Sequence, residues 1–157
     1  VFIPLMIMYP EATIPVVCVS MHASLDATVN MKIGSALASL RDEGILIMGS
    51  GYSFHNMQSF FNPSQKTEQA SVDFTHWLKD TILGDDSDYL EKLKSWDTAP
   101  GARLSHPREE HLVPLFMVAA AAGDDAQPIL IYDTTTIDGD DPLQQFSEHA
   151  VTGYLFR

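Results

Sequence analysis

Two short apolar runs, Val16 to Ser20 and Ile45 to Met48, bracket a segment whose apolar residues recur every three or four positions. Val29, Ile33, Ala36, Leu37 and Leu40 share one helix face between Asp26 and Glu43. Ser24 or Asp26 can cap the start of that helix, and Gly44 can stop it. Runs that are nearly all apolar read as strands buried on both faces. Strand, helix and strand at this spacing form a βαβ unit, which calls for parallel strands and a right-handed crossover. A third run, Ile129 to Asp133, joins the same sheet. The expected architecture is α/β, with three layers and a mostly parallel central sheet flanked by helices.

The remaining helices follow from the same periodicity. Val72, Phe74, Trp77, Leu78 and Ile82 predict a helix from Ala70 to Leu83. The acidic stretch Asp85-Asp86-Ser87-Asp88 suits the start of a short helix through Leu90, Leu93 and Trp96. Pro107 to Ala122 predicts a second covering helix, with Pro107 at its first position and Pro114 bending it further in. Asn62 to Gln69 and Thr134 to Pro142 read as polar loops, and Gly153 to Phe156 as a late strand.

Composition narrows the function. A chain of 157 residues, 45% of them hydrophobic, fits one domain with a core. With 21 acidic and 9 basic residues, the net charge of −12 excludes the basic patch that nucleic acid requires. No apolar run reaches the ~20 residues of a membrane span. The single cysteine, Cys18, excludes a disulfide scaffold, reads as an inert core thiol, and fits a reducing compartment such as the cytoplasm. The seven methionines read mostly as core filling.

The chain opens on Val1-Phe2-Ile3-Pro4-Leu5-Met6-Ile7-Met8, with no cap or turn before it and no signal-peptide pattern. It reads either as the buried first element of a mature chain or as a start inside an element of a longer domain. The second reading is the expectation here.

Two histidine placements carry the chemistry. His55 lies in Gly49-Ser50-Gly51-Tyr52-Ser53-Phe54-His55-Asn56, just past the second run. In open α/β sheets, ligands bind beyond the carboxyl ends of strands. A histidine there can act as general acid or base, or can simply be a structural turn residue. The second placement is Ser105-His106-Pro107-Arg108-Glu109-Glu110-His111. His111 and the nearby carboxylates suit metal ligation, but a capped and solvated helix start explains the same residues. No Walker loop and no Gly-x-Ser-x-Gly elbow is present. His22, His76 and His149 read as structural or surface residues, and Gly139-Asp140-Asp141 as a solvated loop.

Several stretches together resemble the class III extradiol ring-cleaving dioxygenases. They are Tyr9-Pro10-Glu11-Ala12 with Ile14-Pro15-Val16-Val17, Leu40 through Gly51 with His55-Asn56, and His106 through Leu115. The chain is most similar to the DOPA 4,5-dioxygenase-like branch, related to the catalytic subunit of protocatechuate 4,5-dioxygenase. The resemblance covers nearly all of residues 1–157 as the C-terminal portion of a single catalytic domain. It implies a non-haem iron(II) or zinc centre, O2 as cosubstrate and a small catechol as substrate. It implies His111 as metal ligand, His55 as acid–base residue, and His106 and Asn56 at the substrate. Two further histidine ligands are expected in an upstream segment or a complementing chain. The alternative is a truncated, non-catalytic binding module that keeps the fold without a complete metal site.

Overall fold

The computed structural model describes residues 2–84, 88–123, 125–136 and 149–157. Its centre is a pair of helices, α2 (Ala27–Ala36) and α7 (Val113–Ala122); α1 (Phe2–Met8) precedes them at the amino end. Asp26 caps α2, its carboxylate accepting from the Val29 amide at 2.8 Å. The backbones touch where the two helices cross: a Cβ on Gly34 would stand 2.1 Å from the Met117 carbonyl oxygen. Only glycine permits that approach. Met31, Phe116, Met117 and Ala120 fill the seam.

The predicted helix from Asp26 to Glu43 divides in two. After Leu37 the chain tightens into a 3-10 segment, Ala38–Glu43, which stops at Gly44 with φ of 76°. This turn lets the Arg41 guanidinium donate to the Ala121 and Ala122 carbonyls. A cation thereby meets the negative end of α7.

Pro114 behaves differently from the expectation. Helix α7 begins at Val113, not at Pro107, and Pro114 occupies its first turn, where no backbone N–H is needed. It therefore starts the helix and does not bend it. Residues 106–112 are left as an irregular loop.

Helix α4 (Gln65–Leu83) begins earlier than its apolar stripe predicts, because Ser64 and Thr67 form a reciprocal cap within the expected loop. It buries Phe74, Leu78 and Ile82. Short helices α3 (Met57–Phe61), α5 (Tyr89–Lys94) and α6 (Ala102–Ser105) complete the helical set, with the 3-10 turn Trp96–Thr98 between the last two. The start expected at Asp85-Asp86-Ser87 lies outside the described residues, as does most of the Thr134 to Pro142 loop.

The chain contains both helices and a sheet, but the three-layer, mostly parallel sheet is not found among the described residues. The sheet there has two strands, β1 (Pro128–Asp133) and β2 (Thr152–Phe156), paired antiparallel with Ile129 opposite Leu155. The expected strands Val16 to Ser20 and Ile45 to Met48 form no ladder. Val17 is 86% exposed and Leu46 71%. An apolar run becomes a strand only where a neighbour supplies backbone donors and acceptors, and neither run has one among the described residues. Cys18 is exposed for the same reason, not buried in a core strand. Of the methionines, Met31 and Met117 are buried, whereas Met6, Met8, Met48 and Met57 are exposed. No helix among the described residues is long and apolar enough to cross a membrane.

Candidate active site

Two irregular segments form the site. One runs from Gly49 to Asn56 and ends where Asn56 caps α3, its side-chain oxygen accepting from the Ser59 amide. The other is the 106–112 loop that leads into α7. Four hydrogen bonds tie the first segment to the second and to α6 just before it. The Tyr52 amide donates to the His111 carbonyl at 2.8 Å, and the His55 amide to the Ser105 carbonyl at 2.9 Å. The Asn56 side-chain amide donates to the Leu104 carbonyl at 2.8 Å, and His106 Nε2 bonds the Ser53 carbonyl at 2.8 Å. Gly51 permits this closeness, since a Cβ there would lie 2.2 Å from the His111 carbonyl oxygen.

This zipper brings His55 onto His111. Their imidazoles stack with centroids 3.6 Å apart and planes 27° apart. Glu110 joins them: one donor atom from each of His55, Glu110 and His111 lies within 4.8 Å of the others. The Glu110 carboxylate also faces Arg108, Nε to Oε2 at 3.3 Å. Burial of His55, with the neighbouring His111 adding to it, holds the His55 pKa below its ordinary value, while Glu110 opposes the shift. His55 is therefore a neutral imidazole at pH 7, able to accept a proton.

The ring geometry bears on which group could hold a metal. An imidazole binds an ion along a lone pair in its own plane. Two stacked rings addressing one ion through bonds of about 2.1 Å would need their planes roughly 65° apart. At 27° the rings cannot both do so without turning. His111 adjoins Glu110 in sequence and fronts a groove of about 800 Å³. Val118, Leu115, Ile47 and Tyr154 line the groove too, whereas His55 does not. Burial pushes the Tyr154 phenol up to about 12, so it lines the groove as an un-ionised hydroxyl. A histidine nitrogen and a carboxylate oxygen on adjacent residues of one loop suit a divalent first-row metal.

The other sequence candidates lie nearby but are engaged in the fold. Both functional groups of the Asn56 side chain are bonded, one to the Ser59 amide and one to the Leu104 carbonyl. His106 is 0% exposed and stands edge-on to Phe74 and Trp96. Burial pushes its pKa down to about 4. His22 and His76 lie at the surface. His149 is buried and stacks on Phe54 with centroids 4.0 Å apart. Ser53 is a participant that sequence reasoning did not single out. Its carbonyl receives His106, and its hydroxyl accepts from the Thr152 amide at 2.9 Å, which ties the site to β2. A lone serine in a glycine-rich turn carries no signal for that.

Comparison with known proteins places the chain in a family. Residues 1–137 match the family model described as the catalytic LigB subunit of aromatic ring-opening dioxygenase. A 4,5-DOPA dioxygenase extradiol from Beta vulgaris is 38% identical over 133 residues, covering 85% of this chain and 49% of that protein. One from Mirabilis jalapa is 34% identical over 136 residues, covering 87% and 50%. The crystal structure of an uncharacterized protein from Escherichia coli K12 superposes with a TM-score of 0.71 at 28% identity, covering 82% of this chain and 53% of that one. The chain thus spans about half the length of the relatives it matches.

Proposed function

Because the chain belongs to the LigB family of aromatic ring-opening dioxygenases, in its DOPA dioxygenase-like branch, we propose that it is the C-terminal portion of an enzyme that opens a catechol ring with O2. The observation that carries this reading is the convergence of His55, Glu110 and His111 within 4.8 Å. A non-catalytic module would have no need to hold three such donors together.

In this proposal His111, with Glu110 beside it, holds an iron(II) or zinc ion, and the remaining ligands come from histidines outside this chain. When bound, the metal supplies a Lewis-acidic centre that brings a catechol and O2 within reach of each other. His55 is the proton carrier. Its depressed pKa keeps a lone pair free to take a catechol O–H proton, and the ring can later return that proton to a product oxygen. A DOPA-like catecholic acid is the proposed substrate, on the strength of what the relatives are called. The free Cys18 thiol supports a cytoplasmic location.

The finer fold belongs to the same proposal. Val16 to Ser20 and Ile45 to Met48 are parallel strands of a sheet completed by the part of the domain that the relatives have and this chain does not span. Their exposed apolar side chains support it.

The test is oxygen-dependent ring cleavage by the full-length protein loaded with iron(II), followed by absorbance of the yellow ring-opened product from DOPA and from simple catechols. A protein that takes up iron and leaves every catechol intact would remove the enzyme reading.

A further inference from the structure

We propose that His106 is the positioning residue of this site, its Nε2–H gripping the Ser53 carbonyl and so fixing the His55 segment against the His111 loop. The inference rests on the acid–base reading of His55 given above.

The placement of His106 excludes the two other roles open to a histidine here. It is 0% exposed although the chain spans only about half of its relatives, so no substrate reaches the ring in this arrangement. Nor does it join the donor cluster, which holds His55, Glu110 and His111. What remains is the bond at 2.8 Å to Ser53. A carbonyl oxygen can only accept, so Nε2 carries the proton and Nδ1 is bare. Nδ1 has no hydrogen-bond partner among the described residues. The imidazole is thus a one-sided donor, clamped edge-on between Phe74 at 5.5 Å and Trp96 at 6.0 Å. Those rings belong to the main core, so the donor is anchored to buried, packed side chains.

The bond has leverage because of its position. The two segments form no β-ladder among the described residues, so their register rests on a few isolated hydrogen bonds. Ser53 lies between Tyr52, bonded to His111, and His55, bonded to Ser105. Removing the His106 donor breaks the zipper at its centre and leaves a buried carbonyl unsatisfied. The segment can then slide, and the His55 ring moves relative to His111. A displacement of about 1 Å at a reacting group costs on the order of 10²-fold in rate.

The experiment compares His106→Leu, His106→Asn and His106→Gln in the full-length, iron-loaded protein. Glutamine carries an amide nitrogen near the position of Nε2, whereas asparagine is too short. We expect His106→Leu and His106→Asn to lower kcat by about 30- to 100-fold, with catechol KM within about 3-fold of wild type and iron content unchanged. His106→Gln should recover most of the turnover. Amide exchange on the metal-free protein gives a readout that needs no activity: protection of the His55 and Tyr52 amides should fall in the first two variants and not in the third, with α4 and α7 unaffected. A rise in KM at constant kcat would make His106 a substrate contact and overturn the proposal. Loss of iron would make it a ligand or ligand support, and equal turnover of the glutamine and asparagine variants would also overturn it. If wild type leaves catechols intact, the dioxygenase reading fails by itself, while the exchange pattern still decides whether His106 fixes the loop. Should His106→Leu not fold, the glutamine–asparagine comparison carries the test.

Discussion

The imidazoles of His55 and His111, 56 positions apart in the sequence, lie face to face with centroids 3.6 Å apart. Their planes diverge by only 27°, so the two rings do not both aim an in-plane lone pair at one ion without turning. The proposed division of roles between them can be measured.

In the full-length protein, His111→Ala should lose bound iron together with activity, because each ligand contributes directly to affinity. His55→Gln should keep its iron and lose about 10²–10⁴-fold in turnover, the usual worth of a positioned acid–base group. Metal analysis beside ring-cleavage rates on both variants decides this. Full iron in His111→Ala, or near-normal turnover in His55→Gln, would reverse the assignment.

Stability should fall with acidification because of His106. Burial holds its folded pKa at about 4, below the ordinary histidine value of 6.5, so the folded state resists a proton that the unfolded state accepts. This contribution is complete above pH 6.5 and is lost as pH falls towards 4, at up to about 1.4 kcal/mol per pH unit. The charges around the ring are His55 and His111, which lower its pKa, and Glu110, which raises it. Denaturant midpoints between pH 4 and 7 should show the slope in wild type and a shallower one in His106→Gln. Parallel slopes in the two proteins would show that the acid sensitivity lies elsewhere.

Gly51→Ala should cost about 1–3 kcal/mol, since the new methyl would meet the His111 carbonyl oxygen at 2.2 Å and push the two segments apart. The Tyr52–His111 bond is the first to suffer. Thermal unfolding measures the loss, and exchange at the Tyr52 amide locates it. A variant with an unchanged melting temperature would mean that the segments separate without strain.

Lys79 reaches from α4 to Asp133 at the end of β1, Nζ to Oδ2 at 2.5 Å. Burial alone would raise the Asp133 pKa, but hydrogen bonds from Lys79 and Thr135 outweigh it and hold the carboxyl below its ordinary value. Lys79→Met removes the cation beside the Asp133 carboxylate, which keeps its Thr135 hydrogen bonds, and should cost about 1.5–3 kcal/mol near neutral pH. With a depressed folded pKa, the contribution is present above about pH 4 and disappears as pH falls further. The stability difference between wild type and variant should therefore shrink as pH falls below about 4. A constant difference across that range would contradict the ion-pair account.

The sequence alone settled what local forces govern. The apolar stripe of α4, a cap at Ser24 or Asp26 and the stop at Gly44 depend on residues within one turn of each other, so periodicity and capping chemistry expose them. It also supplied the two histidine-bearing segments and the family, because those motifs are contiguous. Tertiary structure decided the rest. Whether Ile45 to Met48 forms a strand depends on a partner that no local pattern specifies, and the apolar run meets none among the described residues. Whether Pro114 bends a helix or begins one depended on how residues 106–112 were used, and their bonds to Tyr52, Ser53 and His55 hold them as a loop. The stacking of His55 on His111, the burial of His106 and the part of Ser53 all arise from hydrogen bonds between segments some fifty residues apart. Such contacts leave no periodicity in the chain, and they appear only when the core of Phe74, Trp96 and α7 brings the two segments together.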